Sequence, residues 1–507
     1  MSSDEKPFQK FELPSAPRTS YMDIATNHKD CIPLVVDIDD AIERLGMGMF
    51  QIEILIAAGL CFAAEAMEVL LLSFLAIILK SEWDLSERQT NSIIAVVFVG
   101  AMIGTLILGP LGDRIGRKPI FSVTAAIIAI FGLVSAACPN YRWFLLARFM
   151  VGFGTGGSTV PFDILAEFLP TSQRGQHLLY IEFFWTGGTL LVPIVAWSCK
   201  NGPWQTFVIL CAIPCVLSTI LCVRYVPESP RWLLTVGNHD RAIRILRHAA
   251  QRNQKDPWVV FPDGTKLIQK EIHTSSKNFY ELFSPQWRKI TMFLWAAWFG
   301  YAFLYYGVII AVSRVFSEGQ TEDQSGDGSG HYSFDYSAIV ISASSEIAGL
   351  VVVLMTVDKW GRIVTQVATY VGGGLSCLIL GLLASADAPR YALVLFAFAA
   401  RMFMMGATCT TWVSTAEILS TSILATGHSA ANAVSNIGGF LSPFVISESI
   451  SPRAMGVVML AVSILTGLAA WQLPETNGKA LGEVHIIDSL PASPEEEESP
   501  DSTYRLA

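Results

Sequence analysis

Eight ionisable residues fall within or beside long apolar runs of this chain. They are Glu65, Glu68, Arg148, Asp163, Glu167, Glu182, Glu346 and Arg401. A charge at the middle of a membrane helix costs roughly 2.5–3.5 kcal/mol even on insertion scales, so such groups are kept for pairing, proton handling or recognition. Glu65 and Glu68 stand three residues apart, nearly on one helical face. Two carboxylates so close in low dielectric do not both ionise cheaply. Arg148 lies at a compatible depth to pair with Glu68. Three readings of this cluster stand side by side: a proton-coupling carboxylate, a permanent buried ion pair and a cation-recognising carboxylate.

Aromatic and amide groups supply a second chemistry. Trp185 lies beside Gly187 and Gly188, Tyr301 and Tyr305 follow Trp295 and Trp298, and Trp412 sits among Thr408, Thr410, Thr411 and Ser414. Flat rings and amines stack on such side chains. Asn432 and Asn436, at i and i+4, present two amides on one face. With Asp163, Glu182 and Glu346, the acids outnumber Arg148 and Arg401, a surplus that favours a cationic or zwitterionic ligand. The expected ligand-binding set is Asp163, Glu182, Trp185, Tyr301, Tyr305, Glu346, Trp412, Asn432 and Asn436.

The elements that must hold these residues are membrane helices. The 507 residues are 52% hydrophobic and only 15% charged, whereas soluble domains carry about 25% charged residues. Mean hydropathy is +0.46 over the whole chain. Apolar runs long enough to cross a bilayer span 50–79, 91–111, 119–138, 143–169, 176–199 and 204–225. Six more span 289–314, 335–356, 362–384, 391–417, 424–446 and 453–473. The organisation read from this is a cytoplasmic leader (1–49), a six-helix bundle (50–225), a linker with short helices (226–288), a second six-helix bundle (289–473) and an acidic tail (474–507). No cleavable signal peptide is expected ahead of the first span, and 37–48 reads as an amphipathic helix lying against the bilayer.

Other classes are disfavoured. The net charge of −9 and the lack of a basic stripe argue against nucleic acid as a partner. The nine cysteines show no ligand spacing, so no metal and no cofactor is expected. Cys138 and Cys199, at the same end of their spans, leave a disulfide open as one option. No phosphate-binding Gly-x-x-x-x-Gly-Lys-Ser/Thr loop and no nucleophile–base arrangement is present, which disfavours an ATP-driven pump and an enzyme.

The chain repeats itself. Gly112-Asp113-Arg114-Ile115-Gly116-Arg117 is echoed by Val357-Asp358-Lys359-Trp360-Gly361-Arg362, Arg148 by Arg401, Ala166-Glu167 by Ala416-Glu417, and Pro227-Glu228-Ser229 by Pro474-Glu475-Thr476. Four ordered echoes at one offset are the mark of a duplication. Two such halves predict a substrate site between them and rocking of one half against the other. Orientation follows the basic loops: Arg114, Arg117 and Lys118, Arg174, and Lys359 with Arg362 mark the cytoplasmic side, while 315–334 carries acids and no Lys or Arg. Both termini are therefore expected in the cytoplasm.

Gly109-Pro110-Leu111-Gly112-Asp113-Arg114-Ile115-Gly116-Arg117-Lys118 resembles the loop signature of the major facilitator superfamily. Pro227-Glu228-Ser229-Pro230-Arg231-Trp232 is similar to the sugar-porter signature. Asp39-Asp40-Ala41-Ile42-Glu43, Glu65-Ala66-Met67-Glu68, Ala166-Glu167-Phe168-Leu169-Pro170 and Tyr305-Tyr306-Gly307 look like the synaptic-vesicle-two-related transporters and bacterial niacin transporters. The resemblance implies an all-α membrane protein, twelve transmembrane helices in two pseudo-symmetric six-helix bundles, the major facilitator fold. It implies a monomeric secondary transporter of a small organic ion or metabolite, coupled to protons by symport, in the plasma membrane or the membrane of a vesicle or organelle. Its small-molecule substrate, protons and the lipid bilayer are the expected partners.

The resemblance also suggests Glu68, or else Glu65, as proton acceptor beside Arg148. It implies a gating set of Asp113, Arg114, Arg117, Glu167, Arg174, Glu228, Arg231, Asp358, Arg362, Arg401 and Glu417. A transporter-like receptor or vesicle protein without net flux is the other functional class, and a sugar the other substrate. The stretch Trp295-Ala296-Ala297-Trp298 stands where sugar porters carry a glutamine pair, and Glu182 and Trp185 stand where they present amides, which disfavours a hexose. No Arg follows Glu417 within 421–428, a departure from the gate pairing of the family.

Overall fold

Helix order follows the apolar runs closely. The computed structural model describes residues 34–170, 174–268, 279–318, 333–419, 423–446 and 449–477. A strand β1 (Val35–Asp37) and helix α1 (Ile38–Leu45) precede α2 (Met49–Glu82), α3 (Glu87–Ile115), α4 (Arg117–Ala136), α5 (Tyr141–Thr155), α6 (Thr159–Ala166), α7 (Arg174–Ser198) and α8 (Trp204–Tyr225). The linker holds α9 (Pro230–Thr235), α10 (His239–Arg252), α11 (Pro257–Val260) and β2 (Lys266–Ile268). The second half contains α12 (Arg288–Val315), β3 (Ser317–Glu318), β4 (Ser333–Phe334), α13 (Tyr336–Trp360), α14 (Arg362–Ala384), α15 (Arg390–Ile418), α16 (Leu424–Val445) and α17 (Pro452–Trp471).

Ten of the described helices are long and apolar enough to span a membrane. The other two spans are special. α16 is diluted by His428, Asn432, Ser435 and Asn436. The fourth span breaks into α5 and α6 at Gly156, Gly157 and Ser158. The break is satisfied internally: Thr105 Oγ1 donates to the Gly156 carbonyl at 2.9 Å. Irregular backbone at membrane depth is tolerated where it is buried in protein or lines a cavity, and here it does the latter. The result is a twelve-span, all-α bundle in two halves, which meet where α3 packs on α16 and α7 on α13.

The two echoed loops share one device. Gly116 (φ +117°) and Gly361 (φ +86°) turn the chain directly into α4 and α14, leaving the first backbone N–H groups of those helices without a local cap. Glu228 Oε1 accepts from Arg117 N at 2.8 Å and Lys118 N at 3.2 Å. Glu475 accepts from Arg362 N at 2.9 Å and Ile363 N at 3.0 Å. Burial pushes the Glu475 carboxyl up, but four backbone N–H donors outweigh it and hold the group below its usual range. A Cβ on Gly116 would lie 2.4 Å from Glu228 Oε2, so the glycine is required twice over, by its φ and by the cap. Glu228→Ala is expected to destabilise the chain by about 2 kcal/mol, as loss of a charged acceptor from a helix terminus does. A thermal melt of the purified variant, with Gly116→Ala beside it, checks this.

The leader corrects an expectation. α1 does not lie on the bilayer: Ile38, Ala41, Ile42 and Leu45 are fully buried, and the helix packs against α10 of the linker. β1 pairs in parallel with β2, Val35 opposite Lys266 and Asp37 opposite Ile268. Arg231 pairs with Asp39, and Asn253 Nδ2 donates to Gln51 Oε1 at 2.9 Å at the foot of α2. An amphipathic face reads the same whether a bilayer or a protein surface covers it, and here the linker covers it.

Candidate functional site

A cavity of about 50 Å³ lies between the halves. From the first half it is lined by Glu65 of α2, Phe98 of α3, Ser158 at the α5–α6 break, and Glu182 and Trp185 of α7. From the second come Tyr301, Tyr305 and Tyr306 of α12, Thr408 and Trp412 of α15, and Asn432, Ser435 and Asn436 of α16. Ligand pockets usually measure roughly 300–1,000 Å³, so a metabolite enters only as the walls part. Trp185 Nε1 donates to Tyr305 Oη at 2.7 Å, tying the two walls together. Glu182 and Trp412 also line a second cavity of about 90 Å³ that runs beside Phe162 and Leu178 toward Glu417. A wall of two side chains thus separates the central cavity from the end that carries the echoed loops.

Of the residues expected to bind ligand, Glu182, Trp185, Tyr301, Tyr305, Trp412, Asn432 and Asn436 come together in this cavity, joined by Glu65 of the expected proton-coupling set. Two do not. Asp163 faces Arg117 at 3.5 Å, because residues 163 and 167 share a face of the helix that points at the echoed-loop end. Glu346 sits behind the wall, 1% exposed, and pairs with Arg401 at 2.6 Å. Phe62, Val69, Phe98, Tyr306, Thr155, Ser158, Thr408 and Ser435 line the cavity too without standing in the expected set. Phe62 precedes Glu65 by one helical turn, a signal that was available.

Two fully buried ion pairs flank the cavity. Arg148 Nη1 donates to Glu68 Oε2 at 2.5 Å, and both side chains are 0% exposed. Glu68 Oε1 and Arg148 Nε and Nη2 have no hydrogen-bond partner, so the pair is strong but incompletely satisfied. Its room comes from Gly132, where a Cβ would stand 2.8 Å from Glu68 Oε1. The second pair bridges the halves: Glu346 Oε2 accepts from Thr189 Oγ1 of α7 at 2.7 Å, and Tyr305 Oη lies 3.3 Å from both carboxylate oxygens.

The expected gating residues divide by position. Arg117 meets Asp113 at 2.8 Å, Glu167 at 3.4 Å and Asp163. Arg362 holds Glu417 through two bonds of 2.8 and 3.0 Å and Asp358 at 2.8 Å. Glu228 is a helix cap and Arg231 a leader contact, as described above. Arg401 lies at cavity depth rather than at a helix end. Arg114 is exposed. Arg174 opens α7, and its side chain lies outside the described residues.

At the opposite end the halves are fastened directly. Ser313 Oγ donates to Ser73 Oγ at 3.1 Å, Arg314 to Asn91 Oδ1 at 3.2 Å and to the Ile446 carbonyl, and Ser449 N to Glu87 Oε1 at 3.1 Å. Nearby, Arg390 hydrogen-bonds Asp335 at the N-cap of α13 and pulls its carboxyl down to about 2. Cys138 and Cys199 are free thiols.

Twelve spans in two echoing halves, closed around a shared cavity, define a major facilitator transporter. The chain belongs to the sugar (and other) transporter family, whose model matches residues 58–487, and within it to the synaptic-vesicle-2-related branch. It is 31% identical over 461 residues to the synaptic vesicle 2-related protein of Xenopus laevis, covering 88% of this chain and 82% of that one. It is 30% identical over 498 residues to organic cation/carnitine transporter 7 of Arabidopsis thaliana, covering 90% and 97%. In fold it is similar to the proton:xylose symporter bound to 6-bromo-6-deoxy-D-glucose, with a TM-score of 0.67 at 22% identity, covering 86% of this chain and 99% of that one. The family is one of transporters, not enzymes.

Proposed function

We propose that the protein is a secondary active transporter that carries a small organic ion or metabolite by alternating access and couples the movement to protons. The observation that carries this reading is the cavity walled by both halves, with the carboxyls of Glu65 on α2 and Glu182 on α7 in its lining. Both termini lie in the cytoplasm, so the fastened end faces outward and the two-chamber path through Glu182 and Trp412 faces inward. The membrane is that of the cell surface or of an intracellular vesicle, in keeping with the relative named for synaptic vesicles. A relative named for organic cations and carnitine and a structural neighbour named as a proton symporter support the substrate size and the coupling.

Coupling runs through the acidic face of α2. Glu68, paired with Arg148, is the proton acceptor, or else Glu65 on the cavity wall. In proteoliposomes with an imposed pH gradient, the Glu68→Gln protein that folds, despite an Arg148 left without its counter-charge, is expected to lose uphill accumulation of a radiolabelled solute at least tenfold while solute exchange continues. Accumulation that persists in that variant moves the coupling away from Glu68.

A further inference from the structure

Among the described residues, four acids lie at cavity depth: Glu68, Glu182 and Glu346, all buried, and Glu65, half-buried on the cavity wall. Two arginines answer them, and both are taken: Arg148 by Glu68 and Arg401 by Glu346. Glu65 and Glu182 remain, both on the cavity wall and neither with an ion-pair partner. Glu182 is 7% exposed, lines both the central and the inner cavity, and has no hydrogen-bond partner among the described residues. Ser158 lines the same cavity as Glu65. Among the described residues, no lysine, arginine or histidine lines the cavity.

Resting on the transporter reading above, we propose that this cavity is a site for a small organic cation, whose ammonium group lies between the Glu65 and Glu182 carboxylates and against the faces of Trp185, Tyr305 and Trp412. An uncompensated carboxylate in a water-poor cavity is costly, and the cost is removed by a counter-charge at the same place. A quaternary or protonated amine supplies that charge, and rings within about 6 Å of it add their quadrupole attraction. Two of these rings are already together, with Trp185 and Tyr305 centroids 6.2 Å apart, and Trp412 lines the same cavity. Swinging Trp412 aside joins the cavity to its 90 Å³ neighbour, and Glu182, which faces both, accompanies the cation from one to the other.

The direction of coupling follows. When the cation leaves, protons neutralise Glu65 and Glu182 before the closed carrier turns over, which puts the coupling proton on Glu65, the alternative to Glu68 named above, and makes the exchange antiparallel. The surrounding charged groups do not substitute. Glu68 and Glu346 are paired, and the hydroxyls of Tyr301, Tyr305 and Tyr306 and the thiols of Cys61, Cys215 and Cys409 carry no positive charge. His428 of α16 is packed against Trp298 and Trp412, behind the wall.

The test uses the full chain in nanodiscs with tetraethylammonium, choline and phenethylammonium, set against 3,3-dimethyl-1-butanol (choline's uncharged isostere), nicotinate and xylose. At least one of the cations is expected to bind at pH 7.5, at least tenfold more weakly at pH 5.5, and at least tenfold tighter than the isostere or the anion. Glu65→Gln and Glu182→Gln, which break no ion pair and should melt with the parent, are each expected to weaken that binding tenfold and flatten its pH dependence. Failure of all three cations to bind, equal binding of the isostere or nicotinate, or unchanged cation affinity in both variants overturns the proposal. A separate arm reads proton movement in proteoliposomes: cation binding without cation-driven proton counterflow leaves the site standing and removes the exchange and the transport reading.

Discussion

Glu346→Gln is expected to cost about 3–5 kcal/mol and to abolish transport. The neutral amide leaves Arg401 charged at 2% exposure with no counter-charge, and breaking one side of a buried pair carries that penalty. Arg401 Nε already lacks a hydrogen-bond partner, so the site has little left to offer the guanidinium. Transport fails for a second reason. The same carboxylate receives Thr189 of the first half and neighbours Tyr305, which in turn receives Trp185, so one acid ties cavity, ion pair and inter-half seam together.

The two roles separate in a milder variant. Thr189→Val removes a bond between the halves and leaves the Arg401 counter-charge intact. Its effect is about 1 kcal/mol, the net worth of one hydrogen bond, or about a fivefold change in the balance between two states of the transporter. Melting of detergent-purified protein reports the first substitution, and spin-label distances across the opposite end report the second. Equal melting of Glu346→Gln and the parent would falsify the pairing.

How far the sequence alone reaches is clear from particular residues. The spans were legible because an apolar run of bilayer length has one economical solution. Glu65, Glu182, Trp185 and Trp412 could be placed at a site because polar and aromatic groups are singled out when everything around them is aliphatic. Depth and partner were legible for Glu68 and Arg148, which do pair, and not for the other acids. Asp163 and Glu182 look alike in the sequence, yet the broken fourth span sends the first to Arg117 and α7 holds the second at the cavity. Glu346 pairs with an arginine 55 residues away across α13 and α15, a contact set by helix packing that no periodicity encodes. The Glu228 cap closes over 111 residues onto backbone N–H groups, which have no side-chain signature at all. The repeat pointed to matching loops, and it could not reveal that the fourth span breaks while α15 runs unbroken from Arg390 to Ile418.

That break depends on the closest helix contact in the first half, and the second large effect lies there. Gly152→Ala is expected to destabilise the protein by about 3 kcal/mol, the upper end for forcing a methyl into a packed interface. A Cβ on Gly152 would stand 2.0 Å from the Val97 carbonyl oxygen, and one on Gly156 2.2 Å from that of Ala101. From the other side, Cβ atoms on Gly100 and Gly104 would meet the Phe149 and Phe153 carbonyls at 2.2 and 2.1 Å. Small residues four apart on both helices let the two backbones touch, the usual way of packing where lipid gives no hydrophobic drive. Because the obstacles are backbone atoms, no rotamer change relieves the clash, and α5 must move away from α3. The displaced residues are the cavity's own: Val97, Phe98, Ala101, Thr155, Gly156 and Ser158 line it. Protein that survives the substitution should therefore also bind its ligand more weakly. Gly187→Ala is the control, since a Cβ there meets nothing within 4 Å and the variant should melt with the parent. Equal melting of Gly152→Ala and Gly187→Ala would mean that α3 and α5 do not approach backbone to backbone, and that the broken span is held in place by other contacts.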